Sequence, residues 1–125
     1  GAVNDEIVIT VSPTLDIVAI ITDNSTKSLG LKVGSNVVAL IKASSIALAT
    51  NVDDLLFSAR NQCKANVTAV HKGAVNSDVQ MDAGQGVKLS AVITNTSVDE
   101  LAIAVGSAVT AIFKASSVIV AAKKA

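Results

Sequence analysis

The chain has 125 residues, half of them hydrophobic, with ten basic and ten acidic side chains and no formal net charge. Zero charge and only two aromatic residues, Phe57 and Phe113, argue against nucleic acid as a partner, which calls for a basic face and, for single strands, stacking platforms. No apolar run approaches the roughly 18 residues of a membrane span, and a single cysteine, Cys63, makes no intrachain disulfide and fits a reducing compartment.

The core has to be built from Val, Ile, Ala and Leu, and β-branched side chains favour strands. Gly1-Ala2-Val3-Asn4 does not look like a secretory signal, lacking its positive region and apolar stretch. In chain order, Glu6–Val11 and Asp16–Thr22 read as strands around a turn at Pro13. A short helix is expected near Ser25–Leu31, then strands Asn36–Ile41 and Ile46–Thr50, then a linker over Asn51–Leu56. Asn66–His71 alternates as a further strand. Val75–Asp82 and Val87–Thr94 follow it, joined by the glycine-bearing loop Ala83-Gly84-Gln85-Gly86. Ser97-Val98-Asp99-Glu100 reads as a capping box for a helix to about Ala104. Strands Ala108–Lys114 and Val118–Ala122 close the series.

The two series are copies. About 19 of the 50 positions from 1 to 50 are identical to those 72 residues further on, a period typical of a small-domain duplication. The first repeat spans residues 1–50 and the second 57–125, with 51–56 between them. The second begins with Ser58-Ala59-Arg60-Asn61 and the strand after it; the first has no counterpart of that opening segment. Five short strands with one helix between the third and fourth is the order of an OB-type barrel. The expected fold is all-β: two tandem five-stranded barrels, each too small for an independent core and so packed on the other or on further chains.

Three short segments carry the candidate chemistry: Ser58-Ala59-Arg60-Asn61, Lys42-Ala43-Ser44-Ser45 and Lys114-Ala115-Ser116-Ser117. Cationic donors beside hydroxyls suit a small oxyanion, since hydrogen bonds from charged donors are strong. The bland alternatives are a tight hairpin with a solvated lysine at each Lys-Ala-Ser-Ser, and a surface pair of Arg60 with Asp53 or Asp54. Thr22 and Thr94 end strands just before the helices, where helix capping competes with ligand binding. Gly1-Ala2-Val3-Asn4 and its twin Gly73-Ala74-Val75-Asn76 read as turns, with Gly or Asn at positive φ, or as a backbone anion nest. His71 has no second ligand at metal spacing, and Cys63 reads as a core filler. With no nucleophile–base pair and no paired carboxylates, the pattern argues against an enzyme.

Ser-Ala-Arg-Asn-Gln opening a unit, Gly-Ala-Val-Asn after its first strand, Ile-Thr before its helix and Lys-Ala-Ser-Ser-Val near its end resemble the molbindin (Mop-type, TOBE-like) family. The second repeat meets the whole pattern and the first all but its opening. The resemblance implies OB-type domains that bind molybdate or tungstate in the cytoplasm. It also implies trimers, six barrels in a ring, with anions at interfaces between barrels. One class of site would use Ser58, Arg60 and Asn61 with Lys42-Ala43-Ser44 or Lys114-Ala115-Ser116, and Thr22 or Thr94 close by. A second class would use Gly1, Ala2, Val3 and Asn4 and their twins Gly73, Ala74, Val75 and Asn76. The implied function is storage of the oxyanion. The alternative is the ligand-sensing part of a molybdate-responsive regulator or of a transporter ATPase.

Overall fold

The computed structural model describes residues 3–124. Strands β1 (Asn4–Ser12) and β2 (Leu15–Thr22) form an antiparallel hairpin with Asn4 opposite Thr22. Ile9, Ile17 and Ala19 point into the core while Glu6 and Val8 face outward. Helix α1 (Asp23–Ser28) follows, then β3 (Val37–Ile41), a 3-10 turn at Ala43–Ser45 and β4 (Ala47–Ala49). Residues 50–60 hold neither helix nor strand. The second repeat runs β5 (Asn61–Lys72), β6 (Asn76–Asp82), β7 (Lys88–Thr94), α2 (Asn95–Glu100), β8 (Ala108–Phe113), a 3-10 turn at Ala115–Ser117, and β9 (Val118–Ala122). The fold is all-β and OB-like, with two six-residue helices.

Several boundaries differ from the sequence reading. β5 starts at Asn61, five residues before the expected strand, because its first half pairs with β8 and only its second half with β6. A bulge between Val67 and Ala69 marks the change of partner, the usual device for bending a strand between sheets. Ser97 does not start α2. Thr94 is the N-cap, and its Oγ1 accepts from the Ser97 N–H at 3.1 Å. Thr22 caps α1 the same way through Ser25 N, so α1 begins two residues earlier than expected and the cap of α2 lies three residues earlier.

The largest difference is in how the repeats close. Neither Lys-Ala-Ser-Ser segment is a hairpin. Each is one 3-10 turn, with Ser45 N donating to Lys42 O at 2.8 Å and Ser117 N to Lys114 O at 3.0 Å. A turn of this kind does not fold the chain back in paired register, so the following strand crosses to the other repeat. β9 pairs with β3, Ile41 opposite Val118, and β4 pairs with β8, Ala47 opposite Ile112. The segments 1–50 and 57–125 are repeats in sequence, but each receives its last strand from the other.

The shared core contains Ile9, Ile17, Ala19, Val67, Val79, Met81, Ala91, Val98 and Phe113. Cys63 is buried there too, and that burial pushes its thiol pKa up, consistent with a packing role. The duplication supplies an internal comparison. Leu40 in β3 is 50% exposed, whereas its twin Ile112 in β8 is 9% exposed. β8 lies between β4 and β5; β3 has only β9. Among the described residues β3 therefore has one open edge.

Candidate functional site

The strand exchange places each Lys-Ala-Ser-Ser turn against the opposite repeat. Ala115–Ser117 packs on β2, and Ala43–Ser45 on β7. At the first of these junctions lies a cleft of about 410 Å³. Asn4, Thr22 and Ser25 of the first repeat and Ser116 of the second supply its polar lining; Ile20, Leu29, Val118 and Ile119 are among its apolar wall. Asn4 and Thr22 meet there because they are opposite partners at one end of the β1–β2 hairpin. The sequence reading placed Asn4 and Thr22 in separate site classes, and the structure brings them together. By the 72-residue offset, Ser44, Thr94, Asn76 and Ser97 are the corresponding residues at the second junction.

Thr22 Oγ1 is committed to capping: it accepts from Ser25 N and donates to Ser25 Oγ at 2.8 Å. Thr94 does the same with Ser97. The hydroxyl with a hydrogen left to donate is therefore that of Ser25 or Ser97. The sequence reading counted neither serine among the ligand residues and took Ser97 only as a helix cap, although both lie among the positions identical between repeats.

Arg60 and Lys114, the expected cationic donors, are not among the residues lining that cleft. Asn61 is opposite Phe113 in the β5–β8 register, so Arg60 and Lys114 flank the same end of that pairing. Lys114 is exposed, and neither it nor Lys42 has an ion-pair partner among the described residues. Arg60 is held by neither Asp53 nor Asp54. Its Nη1 and Nη2 donate to both oxygens of Glu6 in β1, at 2.9 and 2.8 Å, while Asp53 takes Lys64 at 3.5 Å. A planar guanidinium matches a carboxylate with two parallel bonds, and Glu6 presents one from strand β1. The hydrogen bonds from Arg60, and then its charge, hold the Glu6 carboxyl below its ordinary range; Glu6 in turn raises the Arg60 pKa. Ser58 is exposed two residues upstream.

Asn61 serves the fold. It is 3% exposed, and its amide exchanges two 2.8 Å bonds with the Val18 backbone, accepting from N–H and donating to C=O. Both ends of a buried carboxamide need partners, and β2 offers an unpaired edge that supplies both. Ala115 is buried and Ala43 half-buried in their turns.

The Gly-Ala-Val-Asn turns are also tied to the helices. Gly1 and Ala2 lie outside the described residues. Val3 O accepts from Asp23 N at 2.9 Å, and its twin Val75 O from Asn95 N at 2.8 Å. Neither Gly73 nor Asn76 has positive φ. Gly73 is required by a close approach instead: its N–H donates to Asn76 O at 2.8 Å, and a Cβ there would lie 2.9 Å from that oxygen. Asn95 Nδ2 donates to Gly73 O at 2.9 Å. Ala74 and Val75 are exposed. Among the described residues no group of three or more His, Cys, Asp or Glu side chains could hold a metal cation, and no helix is long and apolar enough to cross a membrane.

The class of fold is thus a strand-exchanged pair of OB-like barrels with hydroxyl and amide groups lining the cleft where the repeats meet. The TOBE domain model matches residues 1–48 and 58–120, and the chain belongs to that family. It is 42% identical over 121 residues to the molybdenum-pterin-binding protein MopA of Rhodobacter capsulatus, covering 97% of this chain and 46% of MopA. It is 40% identical over 121 residues to the molybdenum transport protein ModE of Herbaspirillum seropedicae, covering 97% and 45%. The chain thus spans less than half the length of these two relatives. A solved structure of the cytoplasmic molybdate-binding protein ModG, with molybdate bound, superposes with a TM-score of 0.95 at 34% identity, covering 98% of this chain and 87% of that one.

Proposed function

We propose that this chain binds molybdate, or the similarly shaped tungstate, reversibly, as a cytoplasmic store of the oxyanion, and that it has no catalytic step. The observation that carries this reading is the junction itself: Ser116 of one repeat meets Thr22, Ser25 and Asn4 of the other, and Lys114 stands two residues before Ser116 in the chain. A tetrahedral dianion only accepts hydrogen bonds, and Lys, Arg, hydroxyl and amide groups supply donors. Partial burial between barrels lowers the local dielectric and strengthens each contact. The molybdate-bound ModG structure supports molybdate as the anion, and the name of MopA supports molybdenum. The proposal includes assembly as a trimer, in which further donors, Lys42 among them, reach sites across chains.

Calorimetric titration tests this. Molybdate and tungstate should bind and raise the melting temperature by mass action, with sulfate at equal concentration doing less. No heat and no shift with either metal oxyanion at millimolar levels would overturn the reading. Light scattering should return three chains per particle, and a stable monomer would remove the cross-chain part.

A further inference from the structure

Resting on the oxyanion reading above, we propose that the two junctions are unequal oxyanion sites within one chain, and that Glu100 makes the second the weaker. The duplication allows the comparison, because the polar lining is the same at both. Asn4, Thr22, Ser25 and Ser116 at the first junction have Asn76, Thr94, Ser97 and Ser44 as identical twins. A difference in affinity therefore has to come from what surrounds these groups.

The helices supply that difference. In α1 the charged side chains are Asp23 and Lys27, which pair with each other at 2.9 Å, so the helix beside the first cleft is neutral. In α2 their positions hold Asn95 and Asp99, and Ser28 is replaced by Glu100. Asp99 is taken by Lys72 at 2.9 Å. Glu100 is exposed and has no ion-pair partner among the described residues. It stands three residues after Ser97, whose hydroxyl has a hydrogen left to donate. Residues at that helical spacing are surface neighbours, with Cβ atoms about 5–6 Å apart. A carboxylate there repels an incoming anion, and a dianion feels twice the repulsion of a single charge. The corresponding neighbour of Ser25 is the uncharged Ser28. The apolar wall differs in the same direction. Ile20 and Ile119, which line the first cleft, become Val92 and Ala47. A smaller wall leaves more water to compete for the donors and to raise the local dielectric.

Molybdate titration of the full chain by calorimetry, at ~0.01 M and ~0.15 M ionic strength, tests this. The parent should show two affinities, about three- to tenfold apart at the lower salt. Ser116→Ala should weaken the tighter event and Ser44→Ala the looser. Glu100→Ser should tighten the looser event by about three- to tenfold, and Ser28→Glu should loosen the tighter event by a similar factor. Both shifts should shrink at the higher salt, because screening removes a charge effect and not a packing effect. Both positions are exposed, so the melting temperature without molybdate should stay at the parent's. Equal affinities at the two junctions, no shift with Glu100→Ser, or a shift indifferent to salt overturns the inequality and leaves the oxyanion reading standing. No molybdate binding by the parent removes both.

Discussion

Arg60 and Lys114 flank one end of the β5–β8 pairing but differ in state. Arg60 is already neutralised by Glu6, whereas Lys114 is not. Lys114→Ala should weaken molybdate binding by about 1.5–3 kcal/mol, the usual cost of losing a hydrogen bond to a charged group, or roughly tenfold to over a hundredfold. Arg60→Ala should weaken it too, and Arg60→Lys should restore only part, since an ammonium cannot hold two oxygens in a plane. Glu6→Gln releases the guanidinium and should strengthen binding. Equal affinity in all four variants by calorimetry would place the anion elsewhere. Glu6 also sets a pH response. Its folded pKa lies below the 4.5 of an unpaired glutamate, so the pair's contribution is complete above about that pH and lost as pH falls through the folded value. Both side chains are about half exposed, so the effect is small. Acid titration of stability should be slightly flatter below pH 4.5 in Glu6→Gln than in the parent.

Among the elements, the helices are the least self-sufficient. Six residues cannot hold a helix in water without external support, and here the support is a threonine cap and the Gly-Ala-Val-Asn turn. Thr94→Ala should cost about 0.5–2 kcal/mol, read as a lower midpoint in denaturant with an unchanged slope. Gly73→Ala should also destabilise, because its Cβ meets a backbone oxygen that is itself hydrogen-bonded. Asn61→Ala should cost on the order of 1–3 kcal/mol by removing both bonds to Val18. Stability unchanged in Asn61→Ala would mean that water replaces the clamp at the β2 edge. Strand identities were legible at this scale because alternation is local. β5's early start was not, since residues 61–65 become strand only through pairing with β8, a partner far along the chain.

For the whole molecule, the twin positions Leu40 and Ile112 allow a comparison in one chain. Ile112→Ala should cost about 2–5 kcal/mol, in the range of buried large-to-small changes. Leu40→Ala should cost far less, measured in the same denaturant series, while β3 has an open side. Near-equal losses would show that Leu40 is covered in solution, as assembly at that face demands.

The sequence by itself determined the duplication, the all-β OB-type order, the aliphatic core and the residue types at the candidate site. Identity between repeats and strand alternation are properties of neighbours along the chain, so they survive without coordinates. Only the tertiary structure decided which repeat each last strand completes. A 3-10 turn and a hairpin differ by a few dihedral angles at Lys-Ala-Ser-Ser, and the choice rests on pairing with β8 and β3, not on the turn's own residues. That choice then decided the site. It joined Ser116 to Thr22 and Asn4, committed Asn61 to Val18, and gave Arg60 to Glu6 rather than to a nearby aspartate. Such contacts depend on distances between segments tens of residues apart, which no local pattern records.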